Sequence, residues 1–503
     1  MHDHGNARSG EHTRDHARHG NRRHGGGAER ITVIRPSRLK RTISGTAVGN
    51  MMEWYDFGIF AFLVPTISQV FFAGQGSGSV VATFTMFAAA FVARPIGGMI
   101  FGPLGDRLGR RRVLAITMIT MACGTLGIGL IPSYEAIGFW SPLLLLLGRL
   151  VQGFSTGGEY AGAMTYLGEH SPDTRRGFLT SWLEFGTLSG YVLGAAVATT
   201  VTTVVPEQAL LSWGWRIPFL VAGPLGLIGL YVRTRLEESP AFEQQTGRHD
   251  TSEGDRRAGD TGSESSAPDS SEPPRRSVRE QFRDTVIKPW RPLLVCIGLV
   301  VTYNVVNYTL TQYFPTYLSE EVGLPATPAL LIVLGVMVVL IAIIPFGGRL
   351  SDRIGRNPIL YTGCGLVVVA SVPAFLLVNA GGYLAAFAGT LLIGLTLLCF
   401  NSTLPSTLPA LFPVDVRYGT LAIAYNVATS VFGGTTPLIA SSLVAGTGNP
   451  IVPAFLLIAA GIIGAISVVF TREKARRPLP GSPPSAANEE EARQLAEERR
   501  SAD

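Results

Sequence analysis

From Trp290 to Ala475 the charges of this chain are confined to a few short islands, and that confinement dictates where the chain can fold. Outside Arg349–Arg356, the only Lys, Arg, Asp or Glu residues in this stretch are Arg291, Glu320, Glu321, Asp415, Arg417, Arg472, Glu473 and Lys474. The 503 residues are 47% hydrophobic and only 15% charged, whereas ordinary soluble domains carry about 25% charge. Apolar runs of about 20 residues are long enough to cross a bilayer as helices. A soluble protein would need an amphipathic shell around such runs, and the sequence has none. Twelve spans are predicted, centred near Ile59, Ala89, Ile119, Phe154, Gly190, Gly223, Thr302, Val338, Val368, Leu392, Val427 and Leu457.

The charged islands between the spans repeat. Gly102–Leu114 reads GPLGDRLGRRRVL and Gly348–Leu360 reads GRLSDRIGRNPIL, identical at seven of thirteen positions. A weaker repeat relates Pro172, Arg176 and Gly177 to Pro413, Arg417 and Gly419. Two repeats about half a chain apart predict a duplicated bundle. The expected fold is therefore an all-α membrane protein of twelve transmembrane helices in two pseudo-symmetric six-helix bundles.

Residues 41–234 form the expected N-terminal bundle and 289–474 the C-terminal one. Residues 1–40 hold six of the eight histidines without ordered ligand spacing and read as a disordered tail, with no metal and no cleavable signal peptide. Residues 235–288 read as a flexible linker and 475–503 as a tail whose last stretch could form a short charged helix. Arg107, Arg110, Arg111, Arg112, Arg175, Arg176, Arg349, Arg353, Arg356 and Arg417 fall in even-numbered loops, while the odd-numbered loops are nearly free of Lys and Arg. The positive-inside rule then places both termini and the linker in the cytoplasm of a multi-pass cell-membrane protein. The net charge of +5 reflects this asymmetry and implies no nucleic-acid partner. Four cysteines in or beside spans fit as apolar fillers.

The paired G-x-x-x-D-R-x-G-R loops resemble those of the major facilitator superfamily. Gly49–Phe60 (GNMMEWYDFGIF), Ala93–Arg110, Gln152–Ala163, Ser171–Gly186 and Trp213–Phe219 are similar to the metabolite:proton symporter family within it. Asn401–Asn426 is similar to the late spans of that family's proline and betaine carriers. The resemblance implies a proton-coupled symporter with a small-molecule substrate and no cofactor. It also implies a cytoplasmic gate in which Asp106, Arg107, Arg110, Asp352, Arg353 and Arg356 latch the two halves, Asp106 against the helix near Tyr418 and Asp352 against the one near Gly177. Osmosensory relatives often carry a long C-terminal coiled coil, and here only about sixteen residues could play that part.

Six ionisable residues fall at membrane depth, all in the first half: Glu53, Asp56, Arg94, Arg149, Glu159 and Glu184. Each costs at least about 2.5 kcal/mol unless paired or hydrated. Glu53 and Asp56 are three apart on one helix face. Two close carboxylates in low dielectric resist joint ionisation, which suits proton coupling; the alternative is that one only pairs with Arg94 or Arg149. Arg149 with Gln152 and Gly153 resembles the superfamily's R-x-x-Q-G motif. Glu159 and Glu184 read either as further relay acids or as structural partners. Trp54, Tyr55, Arg94, Tyr303, Asn304, Asn307, Tyr308, Asn401 and Asn426 are the expected substrate contacts, because aromatic faces attract a quaternary ammonium and amides bind a carboxylate. Ordinary helix–helix hydrogen bonding is the other reading of the amides.

The leading expectation is import of a small zwitterionic osmolyte such as proline or glycine betaine by alternating access. The first alternative is an organic acid such as 2-oxoglutarate, citrate or shikimate, which four acids against two bases disfavour. Drug export is disfavoured because Thr187–Ala196 lacks the Gly-Pro motif typical of exporters. A non-transporting membrane osmosensor would leave the intramembrane acids unexplained. An enzyme is not expected, since no nucleotide loop, metal-ligand spacing or nucleophile motif appears.

Overall fold

A computed structural model describes residues 31–34, 36–72, 77–234 and 283–502. Most of the 1–40 tail and of the 235–288 linker therefore lies outside the described residues. The N-terminal bundle comprises α1 (Pro36–Phe62), α2 (Ser77–Leu108), α3 (Arg110–Leu130), α4 (Trp140–Glu169), α5 (Asp173–Val204) and α6 (Arg216–Thr234). The C-terminal bundle comprises α7 (Trp290–Glu320), α8 (Ala326–Ile354), α9 (Arg356–Asn379), α10 (Tyr383–Thr407), α11 (Arg417–Thr447) and α12 (Pro453–Val469). Eight of these are long and apolar enough by themselves to cross a membrane; α6 and α12 present shorter apolar runs, and α1 and α4 each carry at least two buried charges.

Large apolar side chains stand exposed around the outside, among them Val92, Ile96, Leu227, Leu384 and Leu438. In water that belt would be an aggregation surface; against lipid tails it costs nothing. The chain is a multi-pass membrane protein.

The duplicated loops fold alike. Gly109 (φ 95°) separates α2 from α3 and Gly355 (φ 102°) separates α8 from α9. A side chain at either position would be strained at that φ, which accounts for glycine at both copies.

Within the first half α1 packs along α5, and α2 along α4. The two halves meet along two seams, α2 against α11 and α5 against α8. Helices approach closely at the second seam, where a Cβ on Gly348 would come within 2.6 Å of the Gly177 carbonyl. Four π-helical turns occur among the described residues: Leu210–Gly214 before α6, Arg283–Ile287 before α7, Thr309–Tyr313 in α7 and Thr429–Gly433 in α11. The last two flank the inter-bundle space, and such turns often mark functional sites.

Residues 32–34 join the C-terminal segment: β1 (Thr32–Val33) pairs in parallel with β2 (Ser485–Ala486), Thr32 opposite Ser485, and the carbonyls of Pro484 and Ala486 accept from the N–H groups of Thr32 and Ile34. The final stretch forms α13 (Glu489–Ala502).

Candidate functional site

Helical geometry sends neighbouring residues of α1 in different directions. Trp54 packs against aromatic rings of its own half, 6.3 Å from Tyr191 on α5 and 6.1 Å from Phe57. Tyr55 turns into its own bundle, where its hydroxyl donates to the Pro218 carbonyl at 2.8 Å. The structure thus separates Tyr55 from the other expected substrate contacts, because a single helical step of about 100° carries it to another face.

Between the bundles lies an aromatic enclosure around one carboxylate. Glu184 on α5 accepts a short hydrogen bond from the Tyr160 hydroxyl of α4. The Tyr303 hydroxyl of α7 lies 3.3 Å from both of its oxygens. Tyr425 of α11 stacks on Tyr160 with ring centroids 4.7 Å apart. Four helices from both halves therefore converge on Glu184. Beside this group Asn304 donates to the Thr429 hydroxyl at 3.0 Å, and Asn426 donates to the Gly157 carbonyl at 2.6 Å. Gln312 hydrogen-bonds the Tyr191 hydroxyl.

Arg94 on α2 supplies the cation. Its guanidinium stacks 4.5 Å from the Phe57 ring centroid and 4.4 Å from that of Phe91, and Phe91 meets Tyr308 edge-on at 5.7 Å. Nε and Nη2 of Arg94, Nε1 of Trp54 and the Tyr308 hydroxyl are buried without a hydrogen-bond partner among the described residues. Asn401 on α10 is buried with both amide atoms in the same condition. Buried donors left open cost about 1–3 kcal/mol each, and polar ligand groups would satisfy them. Asn307 is buried on α7, one turn beyond Asn304.

A second polar centre lies inside the N-terminal bundle. Glu53, Asp56 and Glu159 line one cavity together with Met118, Met121 and Gly226. Asp56 accepts from the Thr125 hydroxyl at 2.6 Å, Thr125 accepts from Gln152 at 2.8 Å, and Gln152 accepts from Arg149 at 2.8 Å. The Arg149 guanidinium also lies 4.1 Å from the Phe60 ring centroid. Glu184 stands apart from these three acids, with the interfacial tyrosines instead.

At the end of the bundles that carries the duplicated loops, Asp352 crosses the seam. Its carboxylate accepts from the backbone N–H of Gly177 at 2.7 Å and of Phe178 at 2.8 Å. Arg356 is buried and donates to the Ser406 carbonyl at 2.8 Å, whereas Arg353 is exposed. Asp106 lies in the last turn of α2 and Arg110 begins α3, but the side chains of Asp106, Arg107 and Arg110 lie outside the described residues. The Tyr418 ring packs against Gly105, and its hydroxyl donates to the Gly158 carbonyl.

Thr125, Tyr160 and Tyr191 are not singled out by the sequence. Tyr160 follows Glu159 directly and could have been found by its adjacency to a buried acid. Thr125 lies in an otherwise unremarked apolar run and gives no such signal.

The chain matches the family described as sugar (and other) transporter over residues 43–477. It is 42% identical to the proline/betaine transporter of Escherichia coli (strain K12), covering 92% of this chain and 90% of that protein. It is also 42% identical to the glycine betaine/proline/ectoine/pipecolic acid transporter OusA of Dickeya dadantii (strain 3937), covering 93% and 90%. Among solved structures it resembles the proton:xylose symporter XylE bound to 6-bromo-6-deoxy-D-glucose, with a TM-score of 0.69, 20% identity and coverage of 91% of this chain and 99% of that one. That likeness carries the fold. The curated relatives are transporters and not enzymes. The chain belongs to the sugar (and other) transporter family.

Proposed function

We propose that this protein is a proton-coupled symporter that imports a small zwitterionic osmolyte, such as proline or glycine betaine, across the cell membrane by alternating access. Both termini face the cytoplasm in this reading, as the arginine-rich even-numbered loops require. The observation that carries it is the pairing of opposite fields in one inter-bundle space. Glu184, ringed by Tyr160, Tyr303 and Tyr425, suits an ammonium through its charge and the tyrosine faces. Arg94, with open guanidinium donors, suits a carboxylate. Asn304, Asn307, Asn401, Asn426, Trp54 and Tyr308 complete the walls. Relatives named for proline and betaine support the same class of substrate.

Proton coupling falls to Glu53, Asp56 and Glu159, which line one cavity, with Arg149 linked to Asp56 through Gln152 and Thr125. Glu184 is accordingly read as a substrate group more than as a relay acid. Asp352, seated on the start of the Arg176–Thr180 helix, closes the cytoplasmic side when it binds the Gly177 and Phe178 N–H groups.

A dicarboxylate would bring a second anion into this space without a second free cation. One poorly compensated charge costs several kcal/mol. The test is uptake into proteoliposomes with labelled betaine, with and without an imposed inward pH gradient. Betaine and proline should compete at far lower concentrations than 2-oxoglutarate or citrate, and the gradient should drive accumulation. The reverse ranking would overturn the osmolyte assignment, and no uptake of either class would favour a sensor.

A further inference from the structure

The chain from Arg149 to Asp56 has a fixed direction. Arginine carries only donors, so the Gln152 amide must turn Oε1 to Arg149 and Nε2 to Thr125. The Thr125 oxygen is then an acceptor for Gln152, and its single hydrogen must go elsewhere. Two acceptors lie within reach: Asp56 Oδ2 at 2.6 Å and the Met121 carbonyl one turn back on α3 at 3.1 Å. An ionised Asp56 takes that hydrogen. A protonated Asp56 can donate instead, which frees the Thr125 hydrogen to turn to Met121. All four side chains are buried, so water does not substitute for either arrangement.

We infer that Thr125 and Gln152 are positioning residues of the proton site, and that the Thr125 hydroxyl is a two-position switch that follows the protonation of Asp56. This inference rests on the reading of Asp56 as a proton-coupling group. Gln152 fixes the switch and transmits the field of Arg149; Thr125 delivers a charge-assisted bond to the carboxylate and gives it up when the proton arrives. The bond to the ionised form is the stronger of the two. Loss of the hydroxyl therefore raises the proton affinity of the site. The charged and titratable neighbours are Glu53 and Tyr55 on α1, Arg149 and Glu159 on α4, and Arg94 on α2. Glu184 on α5 is held by Tyr160 and Tyr303, and the cavity walls from α3 and α6 hold no ionisable side chain.

The test is an infrared pH titration of the purified full-length protein in lipid, which reads the carboxyl directly and needs no substrate. Asp56→Asn identifies the protonated-carboxyl band of this site by its loss. Thr125→Val should shift the midpoint of that band upward by about one pH unit, and Thr125→Ser should restore it. Gln152→Leu cuts the chain one link earlier and should shift the midpoint in the same direction, which keeps the test open should Thr125→Val fail to assemble. An unchanged midpoint in folded Thr125→Val or Gln152→Leu protein would overturn the inference. Loss of gradient-driven uptake in the wild type, with these shifts intact, would instead count against the transport reading alone.

Discussion

Arg176 and Arg417 hold the same station in the two halves, and both reach the same stretch of C-terminal chain. Arg176 opens the Arg176–Thr180 segment of α5 and Arg417 opens α11, and each Nε donates to the carbonyl eight residues back, Gly168 for Arg176 and Pro409 for Arg417. Arg176 Nη1 then donates to the Arg477 carbonyl at 2.9 Å and Arg417 Nη2 to the Pro480 carbonyl at 2.7 Å. Their acids differ: Arg176 pairs with Asp173 three residues before it, while Arg417 pairs across the seam with Glu169 at 2.7 Å.

The Arg417–Glu169 pair is fully buried. Truncation of one member of such a pair leaves an uncompensated charge and costs about 3–5 kcal/mol. Arg417→Ala should therefore lower the melting temperature in detergent markedly, and the double variant Arg417→Met with Glu169→Met should recover much of the loss. Equal melting of Arg417→Ala and wild type would show the pair to be energetically idle.

Glu184→Gln keeps an acceptor for Tyr160 and Tyr303 but removes the charge proposed to face a substrate ammonium. Binding of betaine, measured by calorimetry, should weaken about tenfold or more. Tyr303→Phe should weaken it less. Unaltered affinity in Glu184→Gln would move the substrate out of this enclosure.

Asp352→Asn retains shape but weakens the acceptor for the Gly177 and Phe178 N–H groups. The cytoplasmic side should open more often. With the four native cysteines replaced, a single cysteine at position 178 should label several-fold faster from the cytoplasmic side, with betaine affinity little changed. A large loss of affinity at constant labelling would refute the latch.

Glu473 lies beyond α12, outside the spans. Burial raises its carboxyl, but bonds from the N–H groups of Asn357 and Ala475, together with the backbone and charge of Arg356, outweigh burial and hold it below the usual 4.5. The folded state thus favours the ionised form. This contribution is complete above pH 4.5 and fades as the pH falls through the lowered folded value. Because the group is partly exposed, the effect is small. Glu473→Gln should melt about 1–2 °C below wild type at pH 7, with the gap closing as the pH falls below 4.5. A constant gap across that range would exclude an electrostatic origin.

The duplicated loops made the two-bundle fold legible, since Gly109 and Gly355 share one backbone state and Asp352 occupies the cross-seam position that its motif implies. The buried acids were legible because charge is rare at membrane depth. Which acid serves which centre was not. Glu53, Asp56 and Glu159 share a cavity and Glu184 does not, and that division depends on helix rotation that a nearly uniform apolar sequence leaves unmarked. The same ambiguity hid the opposed directions of Trp54 and Tyr55. Thr125 was invisible because a hydroxyl in an apolar run ordinarily bonds its own helix. The order of residues 476–486 was hidden because it rests on backbone carbonyls of a proline-rich stretch, which no side-chain pattern announces.

All six intramembrane charges belong to the first bundle, and the second carries none. A membrane potential does about 2.3 kcal/mol of work per elementary charge per 100 mV. The field therefore has purchase on one half of the molecule and slides past the other. In the transport cycle proposed above, electrical driving force would enter through α1, α2, α4 and α5, with the C-terminal half an electrically silent partner.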